Sequence, residues 1–359
     1  MTFKTILLGT AATVLVAGTA AANDLTVVSW GGAYTKSQVE AYQKPWMAKT
    51  GKAIISEDYN GGLAEVKAQV EAGNVTWDIV DVELSDAVRG CDEGLFIELD
   101  PSILPPGADG TPAEEDFIDG AINDCAVANI VWSTIYAYDS SVLSDSPPTA
   151  MADFFDLEKY PGKRGMRKTP KANLEFALIA DGVPVDEVYD VLETDEGIDQ
   201  AFAKLDTIKD QVVWWEAGAQ PPQLLADGEV VMTTAYNGRI FNAAIAESQP
   251  FEVVWDGQIL DFDLWAIPKG APNEADALDF LTFSTETEQL ANQASWISYG
   301  PARRSSSPLV GVFNDGKTEM GPHMPTAEAN METALVNDFE FWADNQDELN
   351  ERFNAWLAQ

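Results

Sequence analysis

Histidine and cysteine are nearly missing from this chain, and basic residues are scarce. One histidine, His323, and two cysteines occur in 359 residues, and 21 Lys and Arg face 59 Asp and Glu. A lone histidine in a proline-rich loop (Gly321-Pro322-His323-Met324-Pro325) supplies neither a metal cluster nor a Cys–His pair, so no metal and no cofactor are expected. No Gly-x-Ser-x-Gly elbow is present, and no Walker or dinucleotide glycine pattern follows a strand. Without a basic face to neutralise phosphates, nucleic acid is not an expected partner. The acidic excess reads as a solvated, self-repelling surface that keeps the chain soluble and monomeric.

Long apolar runs are also lacking, apart from one at the N-terminus. Lys4, the apolar stretch Ile6 to Val16 and the small residues Ala20-Ala21-Ala22 read as an export signal over residues 1–22, with the mature chain starting near Asn23. A retained signal anchor is the alternative. The first cysteine, Cys91, lies far from the cleavage site, which favours a free periplasmic protein of a Gram-negative cell over a lipid-tethered one. In that oxidising compartment Cys91 and Cys125 are expected to pair, closing a loop of about 35 residues worth about 3–4 kcal/mol. Two buried free thiols remain the alternative.

What is present alternates strands with helices. Leu25 to Trp30, Ala53 to Ile55 and Trp77 to Val82 read as strands. Between them stand a helix over Tyr34 to Lys49, interrupted by Pro45, and a helix marked by Leu63, Val66 and Val70 that stops at Gly73. This order implies parallel crossovers. Asp100 to Asp116 reads as a surface loop, and Val127 to Tyr138 as a strand crossing to a second α/β series that opens at Pro147. In that series Thr194 caps a helix, and Val212 to Trp215 and Glu229 to Thr234 are strands. Leu260 to Pro268 crosses back, Thr285 and Glu288 are spaced as a capping box, and Asp344 to Leu357 is the last helix. Two lobes joined by two crossings make a hinge, with the ligand cleft between them.

Several blocks resemble one family. They are Trp77-Asp78-Ile79-Val80, Asp92-Glu93-Gly94-Leu95, Leu225-Ala226-Asp227-Gly228-Glu229-Val230, Asp263-Leu264-Trp265-Ala266-Ile267-Pro268-Lys269-Gly270-Ala271-Pro272 and Tyr299-Gly300-Pro301. Together they resemble the periplasmic solute-binding proteins of ABC importers, of the spermidine/putrescine type. The resemblance implies an α/β, two-lobed periplasmic-binding-protein fold of type II. It implies lobes of residues 23–133 with 264–310 and 134–263 with 311–359. It also implies a small-molecule ligand, a membrane permease as partner and no enzyme activity. Carried over by position, the ligand-binding residues are Trp30, Tyr34, Glu83, Ser85, Glu175, Tyr236, Asp261, Asp263 and Tyr299. Rings and acids together suit a nitrogen cation: the ring face attracts it and the carboxylates accept its N–H donors.

Two departures from the polyamine pattern alter the expected ligand. Gly31-Gly32-Ala33 stands where the polyamine binders place an acid, and Arg239 stands where they place an aspartate. A ligand bearing both an amine and a carboxylate suits Arg239 as a tenth ligand residue. A true polyamine receptor remains open, with Arg239 turned toward a structural acid such as Asp256 or Asp261. A secreted hydrolase built on a pair of acids is the alternative of another class.

Overall fold

The computed structural model describes residues 24–359; the expected export segment, residues 1–22, lies outside them. Ten strands form one sheet. Strands β1 (Leu25–Ser29), β2 (Ile54–Asp58) and β3 (Ile79–Glu83) run parallel with β1 in the middle. Farther along the chain, β4 (Ala126–Asp139) is followed by a second parallel set. It comprises β5 (Arg164–Arg167), β6 (Val212–Trp215) and β7 (Met232–Tyr236), with β5 in the middle. Between the two sets lie β4 and β8 (Phe251–Ala266), antiparallel to each other, with β8 beside β3 and β4 beside β7. Two short strands complete the sheet: β9 (Gly300–Pro301) on β4 and β10 (Leu335–Val336) on β8.

The apolar residues divide into two main cores. Val27, Trp46, Ile79, Trp265 and Phe280 belong to one, and Phe154, Leu174, Phe202, Trp342 and Phe353 to the other. Strands β4 and β8 run from one core to the other, as expected of the two crossings, and the last helix, Phe339–Leu357, returns to the second core.

Local chemistry explains where three expectations shift. The helix after β1 does not break at Pro45. It widens to i→i+5 bonding over Val39–Gln43 and continues as Lys44–Thr50, a path that spares the proline ring a clash with the preceding turn. The capping box at Thr285 and Glu288 does not form. The N-cap of the helix Thr287–Gln293 is Glu286, and the Thr285 hydroxyl donates instead to the Leu281 carbonyl at 2.8 Å. The loop at Asp100 to Asp116 is not all surface. Asp116 ends it as a buried anchor, accepting from Arg303 Nη1 at 2.9 Å. Thr194 does cap its helix, accepting from the Gly197 amide at 3.0 Å.

Cys91 and Cys125 form the expected disulfide, with Cα atoms 5.7 Å apart and a sequence separation of 34. It ties the helix Leu84–Asp92 to the segment leading into β4. Replacing both cysteines by alanine is predicted to lower the unfolding free energy by about 3–4 kcal/mol, from the closure entropy of the loop. Guanidinium unfolding of the two proteins checks this, and a loss under about 1 kcal/mol would contradict it.

Candidate ligand-binding site

The expected site residues gather because the sheet turns its strand ends toward one cleft. Trp30 follows β1, and Glu83, Arg167, Trp215 and Tyr236 are the last residues of β3, β5, β6 and β7. Ligands of open α/β sheets sit outside these carboxyl ends. Asp261 and Asp263 lie two apart on β8 and so share a face, and Asp263 stands opposite Glu83 in the antiparallel ladder. Two adjoining cavities result. The smaller is lined by Trp30, Tyr34, Glu83, Trp132, Tyr236, Arg239, Asp263 and Tyr299. The larger shares Glu83, Trp132 and Tyr236 and adds Arg167, Lys171, Trp215 and Asp261 among its walls.

Three acids and three bases line these cavities, and four of the six satisfy one another. Lys171 Nζ donates to Glu83 Oε2 at 2.8 Å, and Arg167 Nη1 to Glu83 Oε1 at 3.2 Å. Lys171 Nζ also lies 2.7 Å from Asp261 Oδ2, an ion pair bent away from hydrogen-bond alignment. Burial alone would raise the Glu83 carboxyl, but Lys171 and Arg167 outweigh it and bring it down to about 2. Burial would equally neutralise Lys171, yet Asp261 and Glu83 hold its pKa up, so the ammonium stays charged.

Asp263 and Arg239 are the remaining two. Asp263 Oδ1 accepts from Trp132 Nε1 at 2.8 Å, and no donor among the described residues meets Oδ2. Burial, with Asp81, Glu83 and Asp261 close by, pushes the Asp263 carboxyl well above the usual range. Such a group gains from any cation brought to it. Arg239 donates through Nη1 to the Gly31 carbonyl and through Nη2 to the Trp30 carbonyl, both at 2.9 Å, while its buried Nε–H has no partner. It therefore turns to neither Asp256 nor Asp261. The room for it comes from glycine: a Cβ on Gly32 would fall 2.8 Å from Nη1, and one on Gly218 would fall 2.8 Å from Nε.

Aromatic rings enclose this pair. Tyr236 packs edge-on against Trp132 at 4.9 Å and Trp215 at 5.7 Å, and Tyr34 against Tyr299 at 5.3 Å. The Tyr34 hydroxyl donates to Asn129 Oδ1, whose amide in turn donates to Asp81 Oδ1. Asp81 lies beneath the site. Burial lifts its carboxyl to about 7, against the pull of its bonds to Tyr34, Gln38, Asn129 and Ser29.

Of the ten expected ligand residues, Trp30, Tyr34, Glu83, Tyr236, Arg239, Asp261, Asp263 and Tyr299 line the cavities. Ser85 stands behind them, its hydroxyl 3.3 Å from Lys171 Nζ. Glu175 is a correction. It lines neither cavity but is buried against the second core, accepting from Trp342 Nε1 at 2.7 Å and the Tyr189 hydroxyl at 3.1 Å. The resemblance carried Glu175 over as a ligand acid of the second lobe, but the final helix brings an indole N–H to it. The sequence reading missed Arg167, Lys171, Trp132 and Trp215. For Trp215 a signal was there: it ends a strand that the sequence shows.

The comparisons fall in with this geometry. The family model of bacterial extracellular solute-binding proteins matches residues 39–326, and the chain belongs to that family. It is 46% identical over 343 residues to the gamma-aminobutyric acid-binding protein of Pseudomonas aeruginosa, covering 96% of this chain and 93% of that one. Among solved structures it resembles the MotA binding protein of A. tumefaciens B6 in complex with glucopine (32% identity, TM-score 0.85, 93% and 100% covered). It also resembles the Atu4243 GABA receptor (32% identity, TM-score 0.78, 94% and 98% covered). The chain is thus the substrate-binding component of an ABC importer, with the two-lobed α/β fold of that class. The polyamine subtype suggested by the motifs is only distantly supported, by 22% identity to the putrescine-binding PotF of Escherichia coli over 319 residues.

Two buried glutamates should show opposite pH behaviour. Glu83, lowered to about 2, contributes stability above its unfolded pKa near 4.3 that disappears as pH falls toward 2. Glu83→Gln is predicted to cost about 3 kcal/mol at pH 7, a deficit that begins to shrink below about pH 4 and is gone only near pH 2. Glu175, raised by burial to about 7, carries a cost that grows as pH rises from its unfolded pKa near 4.3 and is complete above about 7. Glu175→Gln is predicted to stabilise the protein at pH 8 by about 3 kcal/mol and to do nothing comparable at pH 4. Denaturation across pH 3–9 checks both, and parallel pH curves for the variants and the parent would contradict them.

Proposed function

We propose that the solute is a short ω-amino acid of the γ-aminobutyrate kind. Its ammonium would sit on Asp263 over the aromatic walls, and its carboxylate on Arg239. The charge pattern of the cleft carries this reading. Glu83, Asp261, Arg167 and Lys171 satisfy one another, which leaves one acid and one base unmatched across a ring-lined cavity. A zwitterion brings one charge of each sign and leaves the balance intact. A diamine brings two cations to a site with one unmatched acid, a costly burial. The 46% identity to a gamma-aminobutyric acid-binding protein supports the same ligand class.

In this reading the two bodies, 23–133 with 264–310 and 134–263 with 311–359, close on the solute by bending at β4 and β8. The ligand draws on Trp30 and Tyr34 from one side and Tyr236, Arg239 and Asp263 from the other, so its binding favours the closed form. The chain works as a monomer in the periplasm, docks to a membrane permease, and loses residues 1–22 on export. N-terminal sequencing of the exported protein near Asn23 tests the last point. No feature of the site favours a hydrolase.

Isothermal titration calorimetry tests the ligand. Binding of γ-aminobutyrate and 5-aminovalerate is expected, with putrescine at least tenfold weaker. Arg239→Ala and Asp263→Asn are each expected to weaken γ-aminobutyrate by about 30-fold or more, as for loss of one partner of a buried charge pair. Because the free Asp263 carboxyl is raised, the incoming ammonium ionises it and releases a proton. The binding enthalpy should therefore depend on the buffer, and affinity should rise with pH until Asp263 is ionised unaided. Tighter binding of putrescine than of γ-aminobutyrate would overturn the reading.

A further inference from the structure

We propose that Arg167 is a specificity-determining residue: it occupies the seat that the second ammonium of a diamine would need, and so reserves the cleft for solutes with one cationic and one anionic end. This rests on the ω-amino acid reading above and adds to it a residue that contributes by exclusion.

The position of the side chain carries the proposal. Arg167 ends β5, and its Cζ lies 5.9 Å from the Trp30 ring centroid and 5.8 Å from that of Tyr236. Those rings are two walls of the smaller cavity. An aromatic face in a dry cleft is an attractive seat for a cation, and here a cation of the chain already holds it. Glu83 fixes the guanidinium there at 3.2 Å, and Lys171 takes the other Glu83 oxygen. Glu83 is thereby neutralised and has no charge left for a second ammonium. The Trp30 wall is held in turn by Gly61, where φ is +85° and an added Cβ would fall 2.2 Å from the indole.

Consider a diamine with one end on Asp263. Its other end, laid along the Tyr236 ring, comes near the guanidinium of Arg167 or that of Arg239, since both stand within 6 Å of that ring. At such a separation in a poorly solvated site, like charges repel strongly. A carboxylate at that end is attracted instead. Arg167 thus penalises the wrong ligand without having to touch the right one, specificity built from repulsion.

The test uses the mature parent protein and the variants Arg167→Gln and Arg167→Lys, titrated with putrescine and with γ-aminobutyrate. The putrescine Kd is expected to fall at least tenfold in R167Q and to stay within about threefold of the parent value in R167K, which keeps the charge. Should R167Q fail to fold, R167M carries the same comparison. A putrescine Kd that does not fall in the uncharged variant overturns the proposal, and so does an equal fall in R167K. If the parent itself prefers putrescine to γ-aminobutyrate, both this proposal and the ω-amino acid reading fail. If the parent prefers γ-aminobutyrate and only the variant result is negative, the exclusion role alone is lost.

Discussion

A charge removed from water must find a partner, and that requirement organises this cleft. Six ionisable side chains converge where the strands end. Lys171 reaches two acids and Glu83 reaches two bases, so four of the six form a closed set across the halves of the molecule. The set consumes the charges that would otherwise attract an arbitrary ion. What remains is a raised carboxyl at Asp263 and a guanidinium at Arg239, with rings between them. The selectivity of the site is therefore decided as much by the charges that are already matched as by the two that are not.

The departures from the polyamine pattern prove to be one structural feature. Arg239 crosses to the carbonyls of Trp30 and Gly31, and the space for its Nη1 exists because residue 32 has no side chain. An acid after Trp30 and an aspartate at 239 would suit a dication. Glycines after Trp30 and an arginine at 239 suit a ligand with an anionic end. The two positions lie some 200 residues apart in sequence, as the 208-residue separation of the Gly31–Arg239 bond records. Neither is easily read without the other.

Much of the fold was legible because it follows from period and punctuation. The β-branched run at β1, the stop at Gly73, the cap at Thr194 and the crossing strand β4 all stand where local sequence put them. The aromatic wall and Asp263 were legible through motifs at strand ends. Arg167 and Lys171 were not, because a basic residue beside a strand looks like any solvated charge until tertiary structure brings Glu83 and Asp261 to it. Glu175 misled for the complementary reason: its partner, Trp342, lies 167 residues away on the last helix. The Thr285 capping box failed since the hydroxyl found a closer carbonyl in the preceding helix. In each case the local pattern was sound and a distant partner decided the outcome.

The most direct measurement is a crystal structure of the protein grown with γ-aminobutyrate. The predicted result is an ammonium within hydrogen-bond distance of Asp263 Oδ2 and a carboxylate on Arg239, with Glu83 still bridged by Arg167 and Lys171. A carboxylate seated on Arg167 and Lys171, with Asp263 left without a cation, would contradict the division of the six charges on which the site rests.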